Sequence, residues 1–113
     1  MSPSFERREY KRYLITLDVQ IKIRKEGKLI DAGGGKIQNI SRVGIFLESN
    51  ELVPAGVVLR LIVDWPVRFQ GKTRVDWIVD GVVVRSTDSG MAVNIMRQWF
   101  ERDRQGKRKK LAS

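Results

Sequence analysis

The chain contains neither cysteine nor histidine. Without cysteine there are no disulfides and no thiolate chemistry, and the composition suits a reducing compartment. Without histidine, the usual zinc ligand and the usual general base are both missing, and Ser41 has no partner for a Ser-His-Asp triad. No pair of carboxylates stands out as a substitute. The expectation is a protein that is not an enzyme and that holds no metal and no cofactor. Long apolar runs are absent too, and the N-terminal residues are charged where a signal peptide needs its apolar stretch. The expected setting is cytoplasmic, with no stable membrane insertion.

What the chain does have is enough apolar residue for one modest core: 42% of 113 residues. Its net charge is +9, and the excess sits at the two ends, +2 within residues 1–13 and +5 within residues 97–113. Such a field favours anionic partners and fast, salt-sensitive association.

The body reads as short strands. Leu17, Val19, Ile21 and Ile23 alternate with polar residues, the period of a half-buried strand. Glu26-Gly27-Lys28 is a turn. Leu29 to Asn39 is a second strand, bent or bulged at Gly33-Gly34-Gly35; a phosphate loop is the poorer reading, since no Lys-Ser/Thr and helix follow. A third strand spans Val43 to Glu48, and Val53 to Gly56 turns into a β-branched run, Val57 to Asp64, which Trp65-Pro66 is expected to end. Val67 to Thr73 is the least regular part, with Gly71 at a turn. Arg74 to Arg85 is β-rich, Asp88-Ser89-Gly90 is a tight turn, and Met91 to Met96 alternates again. From Arg97 to about Leu111 the composition is helical, ending in a basic tail. Trp65 and Trp77 read as core or rim residues, and Trp99 as the residue pinning that helix to the sheet. Three segments follow: a flexible basic arm over residues 1–13, an all-β body over 14–96, and a basic C-terminal helix and tail over 97–113. Six or so short strands without intervening helices imply an all-β sheet closed into a small barrel.

Two stretches carry chemistry. Arg7-Arg8-Glu9-Tyr10-Lys11-Arg12 puts three guanidinium groups on a segment too polar to pack. Asn39-Ile40-Ser41-Arg42-Val43-Gly44 puts an amide, a hydroxyl and a glycine at the junction of two strands. Arginines on a mobile arm facing a polar notch on a rigid sheet suit an anionic, planar ligand, for which a phosphorylated purine is the best fit. The blander readings are a solvated basic arm, ordinary turn roles for Asn39 and Ser41, and a positive φ at Gly44.

Arg8 and Arg12 as R-x-x-x-R, followed by Asn39, Ser41 and Gly44 as N-x-S-x-x-G, resemble the signature of the PilZ domain, a bacterial receptor for cyclic di-GMP. The resemblance covers roughly residues 7 to 96. It implies a six-stranded antiparallel PilZ-like barrel with a C-terminal helix, the latter agreeing with the helical composition. The region from Arg68 to Arg74 is longer than a minimal member needs and suits a hairpin extension for contacts with another chain.

The resemblance also implies ligand-binding residues: Arg7, Arg8, Arg12, Asn39, Ser41 and Gly44 for cyclic di-GMP. In this family a polar or basic residue at the position of Arg7 tends to accompany two stacked ligand molecules, so two are expected. The implied action is ordering of the arm by ligand and signalling through a partner protein. The alternatives are a PilZ-like adaptor that binds no nucleotide and acts by protein contact, and a basic β-barrel that binds RNA or DNA. The second needs a stripe of stacking aromatics on one sheet face, which the scattered tryptophans do not supply.

Overall fold

The computed structural model describes residues 13–49 and 51–102. They form six strands: β1 (Tyr13–Lys25), β2 (Lys28–Ile40), β3 (Gly44–Ser49), β4 (Val58–Phe69), β5 (Thr73–Thr87) and β6 (Gly90–Arg102). Every pairing is antiparallel, in the order β1-β2-β3-β6-β5-β4, and β4 returns to β1 to close the sheet as a barrel.

The alternation seen in β1 sets which face points inward. Val19 and Ile21 are buried, while Leu17 and Ile23 pack against the core at its margins. Ile37, Ile45, Leu47, Leu59, Leu61, Val79 and Met91 complete an apolar interior drawn from all six strands. Burial on this scale supplies the main favourable term for so small a fold.

Turns fall where backbone freedom is greatest. Glu26 and Gly27, both at positive φ (53° and 80°), join β1 to β2 as the sequence predicted. In β2 one extra residue stands opposite Ile21, between the Gln20–Gly34 and Lys22–Asp31 pairs. Gly33, at φ 101°, occupies that bulge.

Two expectations are corrected. Trp65-Pro66 does not end β4, which runs on to Phe69, although its register with β5 breaks between Trp65 and Phe69. The reason lies in the pairing: β1 bonds to β4 only over Leu59–Val63, so the proline lies beyond that ladder, on an open edge where its missing N–H is tolerated. Nor do residues 97–102 start a helix. They extend β6, paired with β5 from Val75–Arg102 to Asp80–Arg97, and no element among the described residues is helical. The expected remainder of that helix, like the basic tail, lies outside the described residues. Among the described residues there is thus no helix for Trp99 to pin. Trp99 stands on the barrel's outer surface between two guanidinium groups, with Arg60 Cζ 5.0 Å and Arg97 Cζ 5.3 Å from its ring centre.

Residues 67–74 do form a hairpin extension. Gln70 and Gly71 (φ 53° and 73°) turn β4 into β5, closed by the Lys72 N–H donating to the Phe69 carbonyl at 3.1 Å. Trp65 and Trp77 sit at the rim, as the sequence suggested. They form an edge-on pair (ring centres 5.6 Å) that Phe100 joins at 5.4 Å from Trp65. The Trp77 indole N–H donates to Gln98 Oε1 at 2.7 Å, so the buried ring keeps its polar atom satisfied.

Across the outer surface runs a charged row. Asp80 is 8% exposed and accepts from Arg60 through Nε (2.7 Å) and Nη2 (3.0 Å), and from Arg97 Nε (2.8 Å). The forked hydrogen bonds from Arg60 first, then the single one from Arg97, hold the Asp80 carboxyl below the usual carboxylate range, although burial opposes them.

Candidate functional site

The notch is built by the connection between β2 and β3. Ile40 ends β2, Gly44 opens β3, and the Ser41 N–H donates to the Gly44 carbonyl at 2.8 Å. The Ser41 hydroxyl accepts from the Gly44 N–H at 3.2 Å and lies 3.3 Å from the Gly44 carbonyl, to which it donates. Ser41 thus ties the turn shut with its own side chain. The next link holds the turn to β6: the Ile95 N–H donates to the Val43 carbonyl at 2.8 Å.

Gly44 is not at positive φ. Its need for a missing Cβ is steric, because a Cβ there would lie 3.0 Å from the Val93 carbonyl oxygen and 3.7 Å from Asn94 Oδ1. The glycine lets β3 approach β6, with the Asn94 side chain alongside.

Asn39 lies two residues before Ser41, on β2, opposite Phe46 of β3. A register shift between Ile37 and Asn39 inserts Gln38 as an extra residue, so Asn39 shares the outer face with Phe46 while Ile37 stays in the core. Asn39 is half-buried and makes no side-chain hydrogen bond with the other described residues. Its amide donor and acceptor are uncommitted among the described residues. Arg42, exposed at the tip of the turn, adds a guanidinium group.

The first half of the predicted site, Arg7, Arg8 and Arg12, lies outside the described residues. The point where that arm joins the barrel does not. In the β1–β2 pairing Tyr13 is the register partner of Ile40, and Leu14 is the partner of Asn39. The chain that carries the arginines therefore enters the sheet directly beside the notch.

Sequence reasoning missed two neighbours. Phe46 reads as one more apolar residue of a strand, and Asn94 as one polar position in an alternating one. Their relevance appears only with cross-strand register: once Ser41 to Gly44 is known as the turn, Phe46 falls opposite Asn39, and Asn94 falls opposite Gly44. Among the described residues, surface hollows lie elsewhere. One of about 580 Å³ is lined by residues including Lys36, Glu48 and Asp88, another of about 400 Å³ by Arg24, Val58, Arg60, Met96 and Arg97 among others. Neither includes Asn39, Ser41 or Gly44. Among the described residues no group of His, Asp or Glu is placed to hold a metal ion, and no helix is long and apolar enough to cross a membrane.

An antiparallel β-barrel with a polar notch beside the root of an arginine-rich segment defines a small binding domain. Comparison with family models gives that class a name: the PilZ domain model matches residues 6–110. The chain belongs to the PilZ domain family, whose members are binding and receptor domains. Comparison with curated proteins and with solved structures found no match.

Proposed function

We propose that this chain is a cyclic di-GMP receptor that binds its ligand between the Asn39–Gly44 turn and the arm carrying Arg7, Arg8 and Arg12. The observation that carries the reading is the pairing of Leu14 with Asn39. Only Tyr13 separates Leu14 from Arg12, so a short length of chain ties the arginines to the notch and raises their effective concentration there.

The chemistry follows from the ligand's two guanines and two phosphates. A guanidinium group pairs with the O6 and N7 edge of guanine through two parallel hydrogen bonds, stacks on the base plane, and neutralises phosphate. Arg8 and Arg12, four residues apart, grip one ligand from two sides when the arm curls over it. The Asn39 amide oxygen accepts from guanine N1–H or N2–H₂, and the Ser41 hydroxyl, whose oxygen keeps a spare lone pair, bonds a second polar edge. The missing side chain at Gly44 lets the base approach the turn. Arg7 contacts a second, stacked ligand molecule, giving two per site. No step of chemistry is involved; the output is an arm ordered against the barrel and read by a partner protein in the cytoplasm.

Isothermal titration calorimetry of the full chain with cyclic di-GMP, at near-physiological salt, tests this reading. Saturable binding with a stoichiometry near two is expected, lost in the Arg8→Ala/Arg12→Ala variant. An absence of heat, with no competition by the nucleotide in a parallel assay, would leave the adaptor reading in its place.

A further inference from the structure

Beyond Asn94 the last strand loses one neighbour. β5 bonds to β6 along its length, whereas β3 pairs with it only from Met91 to Asn94, with one further bond from Ile95. From Met96 to Arg102, among the described residues, one side of β6 faces no strand. A row of unpaired backbone donors and acceptors is a template for another strand, and proteins normally blunt such edges.

The opposite edge of the same three-stranded extension shows what blunting looks like. β4 parts from β1 after Val63, and its open length carries Pro66, the register break between Trp65 and Phe69, and the exposed Arg68. The β6 edge has no proline and keeps an unbroken register with β5 from Arg97 to Arg102. It also presents Met96, 60% exposed, and Phe100, 54% exposed. The β4 edge is interrupted; the β6 edge carries charges of both signs, Arg97, Glu101 and Arg102, but stays regular.

We propose that this open edge is a self-association surface, on which β6 of a second copy of the chain pairs antiparallel about a two-fold axis at Trp99. The charge pattern selects both occupant and register. With Trp99 opposite its own copy, Arg97 faces Glu101 of the other chain, and the pair occurs twice by symmetry. Arg97 and Glu101 share the outer face: the Arg97 guanidinium lies 5.3 Å from the Trp99 ring centre, and Glu101 Oε2 accepts from Trp99 Nε1 at 2.9 Å. Arg97 engages Asp80 through Nε and its side chain is 65% exposed, which leaves its terminal nitrogens for a second carboxylate. On the other face Gln98 meets Phe100. A slip of one residue in one direction would set Arg97 against Arg102 twice, and in the other would set Arg97 against Phe100, so both lose the Arg97–Glu101 pairs. The paired edges fuse two three-stranded extensions into one six-stranded sheet.

Sedimentation velocity across a concentration series tests this, with circular dichroism verifying the fold of each variant. The wild type should pass from monomer to dimer. Glu101→Lys places Lys against Arg97 in both symmetric pairs and should remain monomeric. Arg97→Glu should do the same alone, while an equimolar mixture of the two variants should regain the dimer, since both cross-strand pairs are then opposite in sign. If Arg97→Glu is poorly folded for want of its Asp80 bond, Phe100→Lys replaces it as the second monomeric variant. A wild type that stays monomeric throughout would overturn the proposal, as would a dimer that Glu101→Lys and Phe100→Lys both leave intact.

Discussion

At Gly44 the β3 backbone comes so near β6 that a side chain would press on the Val93 carbonyl and reach the Asn94 side chain. A valine there should disturb the β3–β6 ladder and fill the notch together. Gly44→Val is expected to lower the thermal midpoint and abolish nucleotide binding, both measurable on one sample. Asn39 allows a gentler probe. An amide oxygen accepts the guanine proton without the gain of a charge, so Asn39→Asp should tighten cyclic di-GMP binding by roughly 1 kcal/mol, about fivefold, by titration calorimetry. Asp80 belongs to stability and not to the notch. Its carboxyl is held low in the folded chain, first by the Arg60 hydrogen bonds. Its stabilisation is thus present above the unfolded value of about 4 and is lost as pH falls through the lower folded value. Thermal midpoints should be flat from neutral pH to about 5 and drop in stronger acid. Asp80→Asn should lose about 1–3 kcal/mol at neutral pH and show a smaller acid loss in urea unfolding.

The elements show where periodicity is informative and where it misleads. β1 was legible because Leu17, Val19, Ile21 and Ile23 face a core while the residues between them face water. The Glu26-Gly27 turn and the Gly33 bulge were legible because each needs positive φ, which leaves a mark in composition. The final strand was not. Arg97 to Arg102 has the long, charged residues that favour helix, yet Gln98 and Phe100 face one side while Arg97, Trp99 and Glu101 face the other. Pairing with β5 overrides local propensity, which is worth only tenths of a kcal/mol per residue. Nuclear Overhauser contacts between the backbones of Ile78 and Trp99, register partners, should be strong; sequential helical contacts across Arg97 to Arg102 would contradict the strand. The candidate site divides the same way. Asn39, Ser41 and Gly44 were visible as a motif, whereas Phe46 and Asn94 join them only through register, which a linear reading cannot supply.

Over the whole molecule, closure makes each strand depend on every other. Leu47 is fully buried at the centre of the shared interior, so Leu47→Ala should cost about 2–5 kcal/mol in urea unfolding, in one cooperative transition. In the proposed receptor the barrel is the fixed half of the binding device, and the segment carrying Arg7, Arg8 and Arg12 is the charged half. The central claim is that the two halves meet at the β2–β3 turn. An amide chemical-shift titration of the labelled chain with cyclic di-GMP tests it most directly. The account predicts shifts concentrated at Asn39 to Gly44, with Phe46 and Asn94 following, and no such pattern in the Arg8→Ala/Arg12→Ala variant. Shifts centred instead on the Arg60–Asp80–Arg97 face, or none at saturating nucleotide, would contradict it.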